Sequence, residues 1–140
     1  MAVNLQSSYD NQEGAAEMSN QSVSTKRRVL GQVVICSGCC CGRTDKGKPA
    51  IPEEWLKSSW KQAGLLRSIQ LTISGCLGPC DLTNVISILT PQGQIWLGGI
   101  TGRHQYEALL EWALASSDAG RLVDLPAILE AQRFERYSLS

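Results

Sequence analysis

The sequence predicts one small α/β domain whose elements run β-α-β-β-β-α around a mixed sheet of about four strands. Three observations carry that prediction. Val29 to Cys36 and Ser68 to Ser74 are strand-like runs separated by a helical pattern, which reads as a parallel βαβ unit. Two further apolar runs flank Pro91-Gln92-Gly93-Gln94, as in an antiparallel hairpin. A helical stripe of Tyr106, Leu109, Leu110, Ala113 and Leu114 then supplies a second long helix to cover the sheet.

Composition fits that size. The 140 residues are 43% hydrophobic and 19% charged, enough for one core. Thirteen basic and thirteen acidic side chains cancel, so no global field favours nucleic acid or an anionic membrane. No apolar run reaches the roughly 20 residues of a transmembrane helix, and no secretory pattern opens the chain, so a cytosolic protein is expected. In that compartment thiols stay reduced, and clustered cysteines act as ligands or redox groups rather than disulfides.

Taken in order, residues 1–27 are Ser-, Asn- and Gln-rich, end on Lys26-Arg27, and predict a disordered tail, too polar to offset its ordering entropy. The domain proper is expected over 28–117. Val29 to Cys36 is β-rich and uncharged, as in a strand covered on both faces. Pro52-Glu53-Glu54 opens a helix to about Ala63, with Leu56, Trp60 and Ala63 on its buried stripe, Lys57 and Lys61 in water, and Gly64 as the stop. Ser68 to Ser74 alternates Ile69, Leu71 and Ile73 inward. Asn84 to Thr90 and Ile95 to Ile100 form the hairpin, and Thr101 caps the second helix. Residues 118–140 are a C-terminal extension that packs on the domain or caps a partner, expected as a surface appendage rather than an active element, with a short helix around Pro126 to Phe134 and an Arg133-Phe134-Glu135-Arg136-Tyr137 tail.

All six cysteines lie in two loops, Cys36-Ser37-Gly38-Cys39-Cys40-Cys41-Gly42 and Gly75-Cys76-Leu77-Gly78-Pro79-Cys80-Asp81, each following a predicted strand. Parallel strands place both loops at one edge of the sheet. Three chemistries fit. A 2Fe-2S cluster takes two thiolates on each iron, and Cys36-x4-Cys41 with Cys76-x3-Cys80 supplies them. A structural zinc site could instead use Cys36, Cys39, Cys76 and Cys80. A dithiol oxidoreductase could use Cys36-Ser37-Gly38-Cys39, although such a motif should open directly into a helix, and Gly42 to Ala50 intervenes. Other iron-sulfur types fit poorly: a plant-type ferredoxin needs a cysteine where Thr44 stands, and a Rieske centre needs two histidines where the chain has only His104. His104 falls in the first turn of the second helix, where a solvent-facing or capping role is expected. Arg43, Lys46 and Lys48 would offset the negative charge of a cluster, and glycines beside the cysteines would let backbone N–H groups approach sulfur.

The pattern Cys-x4-Cys followed at a distance by Cys-Leu-Gly-Pro-Cys-Asp resembles the thioredoxin-like 2Fe-2S ferredoxins, which include the small iron-sulfur subunit of respiratory NADH dehydrogenase. The likeness covers roughly residues 29 to 115. The longer run Cys-Ser-Gly-Cys-Cys-Cys-Gly-Arg-Thr-Asp is similar to small bacterial ferredoxins of this type, some linked to cobalamin biosynthesis. The resemblance implies a thioredoxin-like fold and a one-electron carrier between a reductase and an acceptor enzyme, with no substrate of its own. It implies a 2Fe-2S cluster with Cys36 and Cys41 on one iron and Cys76 and Cys80 on the other, and it allows a homodimer. Cys39 and Cys40 are additions to the simpler pattern and leave the first loop's ligands open.

Overall fold

A computed structural model describes residues 23–138. Most of the expected tail, residues 1–22, lies outside the described residues. In chain order the elements are β1 (Gly31–Cys36), α1 (Glu53–Gln62), β2 (Ile69–Ser74), β3 (Ile86–Thr90), β4 (Gly93–Leu97), α2 (Arg103–Ala119), α3 (Ala127–Glu130) and β5 (Arg133–Phe134), with single 3-10 turns at Thr44–Lys46, Leu65–Arg67 and Cys80–Leu82. The sheet order is β2-β1-β3-β4-β5. β1 and β2 are parallel, and the other neighbours are antiparallel. A βαβ unit followed by a ββα unit in this order is the thioredoxin-like arrangement that the resemblance implies. None of the described helices is long and apolar enough to cross a membrane.

The core follows from the two periodicities. Val33 and Ile35 of β1, Ile69 of β2, Ile86 and Ile88 of β3 and Leu97 of β4 meet Leu56 and Trp60 of α1 and Tyr106, Leu109, Trp112 and Ala113 of α2, all nearly or fully buried. Trp60 carries its polar atom inward at no cost, because its indole N–H donates to the Ile69 carbonyl at 2.8 Å. The two helices are also joined at their N-terminal ends, where the Arg103 guanidinium lies 4.3 Å from the Trp55 ring centroid.

Several expectations change. β1 is fully covered on one face only: Gly31, Val33 and Ile35 are buried, whereas Gln32 and Val34 on the other face are half-buried. β2 is an edge strand, so Ile69 is buried while Leu71 and Ile73 are only partly covered. Helix α1 ends one residue early, leaving Ala63 as an exposed C-cap ahead of Gly64, whose φ of 67° suits glycine. Thr101 does not cap α2. Gly102 is the N-cap residue, and the Gln105 side-chain oxygen accepts from the Thr101 and Gly102 N–H groups at 2.7 and 2.9 Å. The buried stripe of α2 is also turned, with Trp112 and Ser116 inside and Leu114 exposed. The cause is residues 121–125, which cover that side: the Trp112 indole N–H donates to the Val123 carbonyl, and the Val123 N–H to the Ser116 hydroxyl.

The largest difference is at the C-terminus, where the sheet gains a fifth strand. The segment expected as a surface appendage buries Leu129 completely in the main core and pairs Phe134 with Trp96 and Arg133 with Leu97. Gln132 fastens it further, its side-chain amide donating to the carbonyls of Gly98 and Gly99.

Candidate metal centre

The parallel pairing of β1 and β2 sets the site, because it aligns Cys36 with Ser74 and lets both strands end at one edge. From there the first loop folds back on itself. The Gly38 N–H donates to the Cys41 carbonyl, and Gly38 and Gly42 adopt φ of 109° and 76°, conformations that a side chain would strain. Gly42 is needed on packing grounds too, since an added Cβ would stand 2.8 Å from Ile51 Cδ1. The loop is tied to its surroundings at three points. The Gly42 N–H donates to Asn84 Oδ1 at 2.9 Å, the Asn84 amide donates to the Pro49 carbonyl, and the Ser37 hydroxyl donates to Glu53 in the first turn of α1.

This folding sorts the four cysteines of the first loop into two kinds. Cys36 and Cys41 are buried, with Val85, Trp96, Ile51, Leu77 and Phe134 around them. Burial, and then a hydrogen bond with Cys36, push the Cys41 thiol up to about 12, against the Val85 N–H, which reaches its sulfur at 3.3 Å and favours the thiolate. Cys39 is exposed and Cys40 half-buried. The Cys39 thiol is raised by a hydrogen bond with Cys40 and by the neighbouring sulfurs of Cys40 and Cys76.

In the second loop Cys76 and Cys80 stand with their sulfurs 3.4 Å apart. Their shared hydrogen bond lowers the Cys76 thiol, helped by the Gly78 N–H, and raises Cys80 to about 12. The two loops also influence one another electrostatically: Cys39 helps lower the Cys76 thiol, Cys40 helps raise Cys80, and Cys80 helps raise Cys41.

All six thiols thus share one edge, and they are arranged as pairs. Among the described residues no group of three or more His, Cys, Asp or Glu side chains is drawn together as a metal site. His104 is an exposed residue of the first turn of α2, its ring against Gly102. The dithiol motif is divided: Cys36 faces Cys41, whereas Cys39 faces Cys40 and Cys76, and the next α-helix begins only at Glu53. The expected cationic rim is also altered. Arg43 is paired with Asp45 at 2.7 Å, and Lys46 donates to the Cys39 carbonyl.

Four residues of the site escaped the sequence reading. Asn84, fully buried, anchors the first loop. Trp96 packs in the cluster that holds Cys36 and Cys41, and its indole N–H is buried without a partner among the described residues. The Tyr106 hydroxyl is a second such donor. It lies beside Asn84, which favours its ionised form, whereas burial is the main cause that raises it and Cys41 and Cys36 add to that effect. Arg136 rests against Gly78, between the two cysteines of the second loop. None of the four belongs to a recognisable motif, and only their packing reveals them.

No protein-family model matches the chain, and no curated protein matches it. Among solved structures the chain is similar to the wild-type thioredoxin-like 2Fe-2S ferredoxin from Aquifex aeolicus, with a TM-score of 0.44 and 14% identity over 78% of this chain and 100% of that one. Another structure of a thioredoxin-like 2Fe-2S ferredoxin from Aquifex aeolicus aligns with a TM-score of 0.45 and 16% identity, covering 77% of this chain and 93% of that one.

Proposed function

We propose that this protein is a one-electron carrier that holds a 2Fe-2S cluster between its two cysteine loops, with Cys36 and Cys41 as ligands of one iron and Cys76 and Cys80 of the other. The observation that carries the reading is the pairing of thiols at adjacent parallel strand ends. A single tetrahedral metal needs four ligands around one point, whereas a two-iron cluster needs two ligands at each of two points. The donor set fits such a cluster in a second way. Trp96, in the cluster that holds Cys36 and Cys41, keeps a buried indole N–H without a partner among the described residues. Buried donors without acceptors are costly, and thiolate sulfurs are the acceptors that an anionic cluster would offer them.

When bound, the cluster supplies reversible one-electron chemistry. The residues of the chain do the rest. Asn84 and the glycines of the first loop hold Cys36 and Cys41 in an apolar pocket that excludes water, while Cys76 and Cys80 remain at the surface where a partner can approach. The partners in this reading are a reductase and an acceptor enzyme of the cytosol, where reduced thiols are available for cluster assembly.

Cys40 is the competitor for Cys41, since it adjoins Cys41 in the loop and its thiol acts on Cys80. The deciding experiment is purification without oxygen followed by iron, sulfide and zinc analysis and electron paramagnetic resonance of the reduced protein. Near-equal iron and acid-labile sulfide with a reversible one-electron signal are expected, and Cys76→Ser or Cys80→Ser should lose or strongly alter that signal. The double variant Cys39→Ser, Cys40→Ser should keep it. Colourless protein with one zinc per chain would remove the reading, and loss of the signal in the double variant but not in Cys41→Ser would move the ligand to Cys39 or Cys40.

A further inference from the structure

Arg136 belongs to the segment that sequence alone reads as a tail, yet its side chain is held in one place. Its guanidinium carbon lies 5.5 Å from the Trp96 ring centroid and 5.7 Å from that of Tyr137. Trp96 is itself fixed, 6% exposed, paired in register with Phe134 and packed beside Cys36 and Cys41. The far end of the guanidinium lies against Gly78, where any Cβ would collide with it. Gly78 also has a φ of 119°, a backbone conformation that favours glycine there. Among the described residues no carboxylate forms an ion pair with Arg136. The result is a cation set over the loop that carries Cys76 and Cys80, with Glu135 adjacent in sequence and exposed Asp81 beside Cys80, neither of them ion-paired with it.

We propose that Arg136 is a positioning cation for the cysteine-held centre, favouring its reduced state and so raising its midpoint potential. This rests on the cluster reading above. Four thiolates and two sulfides outweigh two ferric ions, and the single electron accepted from a reductase adds one more negative charge at the site. A positive charge over Gly78, between the two cysteines of the second loop, stabilises the more negative state more than the less negative one. Trp96 and Tyr137 reduce the freedom the side chain would lose in staying there. Because Arg136 is exposed, the effect should be screened by salt.

The test is a charge series in the full chain: wild type, Arg136→Lys, Arg136→Gln and Arg136→Glu, each titrated by electron paramagnetic resonance at low ionic strength and at 1 M salt. Equal iron and sulfide contents are expected, with midpoint potentials falling in the order Arg or Lys, Gln, Glu. The spread should shrink at 1 M salt, where the Debye length is about 3 Å. Intact clusters with one common potential at low salt would overturn the proposal. Lys and Gln variants shifted alike would do the same, since shape rather than charge would then be at work. If the wild type binds no cluster, the functional reading fails and the placement of Arg136 is judged on the thiols. Arg136→Gln should then lower, several-fold, the rate with an anionic disulfide reagent relative to a neutral one, and an unchanged ratio would reject the placement too.

Discussion

Asn84 joins three parts of the molecule through one side chain and its own backbone. Its amide accepts from Gly42 and donates to Pro49, and its backbone exchanges hydrogen bonds with Ile100. It is fully buried, so water cannot replace a lost partner. Asn84→Ala should therefore cost about 2 kcal/mol, the scale of leaving buried groups unpaired. The loss should fall on the first cysteine loop, and chemical denaturation together with retained iron would measure both parts. An unchanged midpoint and full iron content would show that the loop is held otherwise. The cysteines were legible one by one, because six in two loops is a chemical pattern. Asn84 was not, because one amide in an apolar run becomes an anchor only when the folded chain brings Gly42 and Pro49 to it.

At the scale of elements, the two long helices and four strands are legible because each has a period. The segment 121–137 has none. Its helix α3 is one turn, Ala127–Glu130, and its strand β5 is two residues. Leu129 nevertheless lies in the main core, and the indole of Trp112 and the hydroxyl of Ser116 bond to Val123 of the same segment. Leu129→Ala should destabilise the protein by about 3 kcal/mol, in the middle of the range for a buried leucine. A thermal or urea unfolding series would read it, with Ile128→Ala as the exposed control. Equal effects for the two would mean that the segment does not pack as described. The structure adds a functional consequence, since β5 is also what brings Arg136 to the second cysteine loop.

For the whole molecule, the main core and the candidate centre are distinct clusters that share Ile51 at their boundary. The core is built from β1 to β4, both long helices and Leu129, whereas Cys36, Cys41, Val85 and Trp96 form their own cluster at the sheet edge. Removing metal should therefore leave the fold standing. We expect chelated protein to keep its far-ultraviolet circular dichroism and a cooperative melt, at a lower Tm than the loaded form because ligation stabilises whatever binds it. Collapse of the melt on chelation would instead make this a domain folded by its metal, as small zinc domains are.

By itself the sequence determined what is written in local periods and in chemistry: the order β-α-β-β-β-α, a helix from Pro52-Glu53-Glu54 to about Ala63, the hairpin at Pro91-Gln92, and two loops of thiols after parallel strands. Those features depend on residues close along the chain, whose pattern needs no fold to be read. The tertiary structure decided which thiols face which, that Cys36 and Cys41 are buried while Cys39 is exposed, and that Arg43 pairs with Asp45. It also brought Asn84, Trp96, Tyr106 and Arg136 to the cysteine loops from later in the chain. Burial, pairing and charge at a site are set by groups distant in sequence, and they take their values only when the sheet has closed around them.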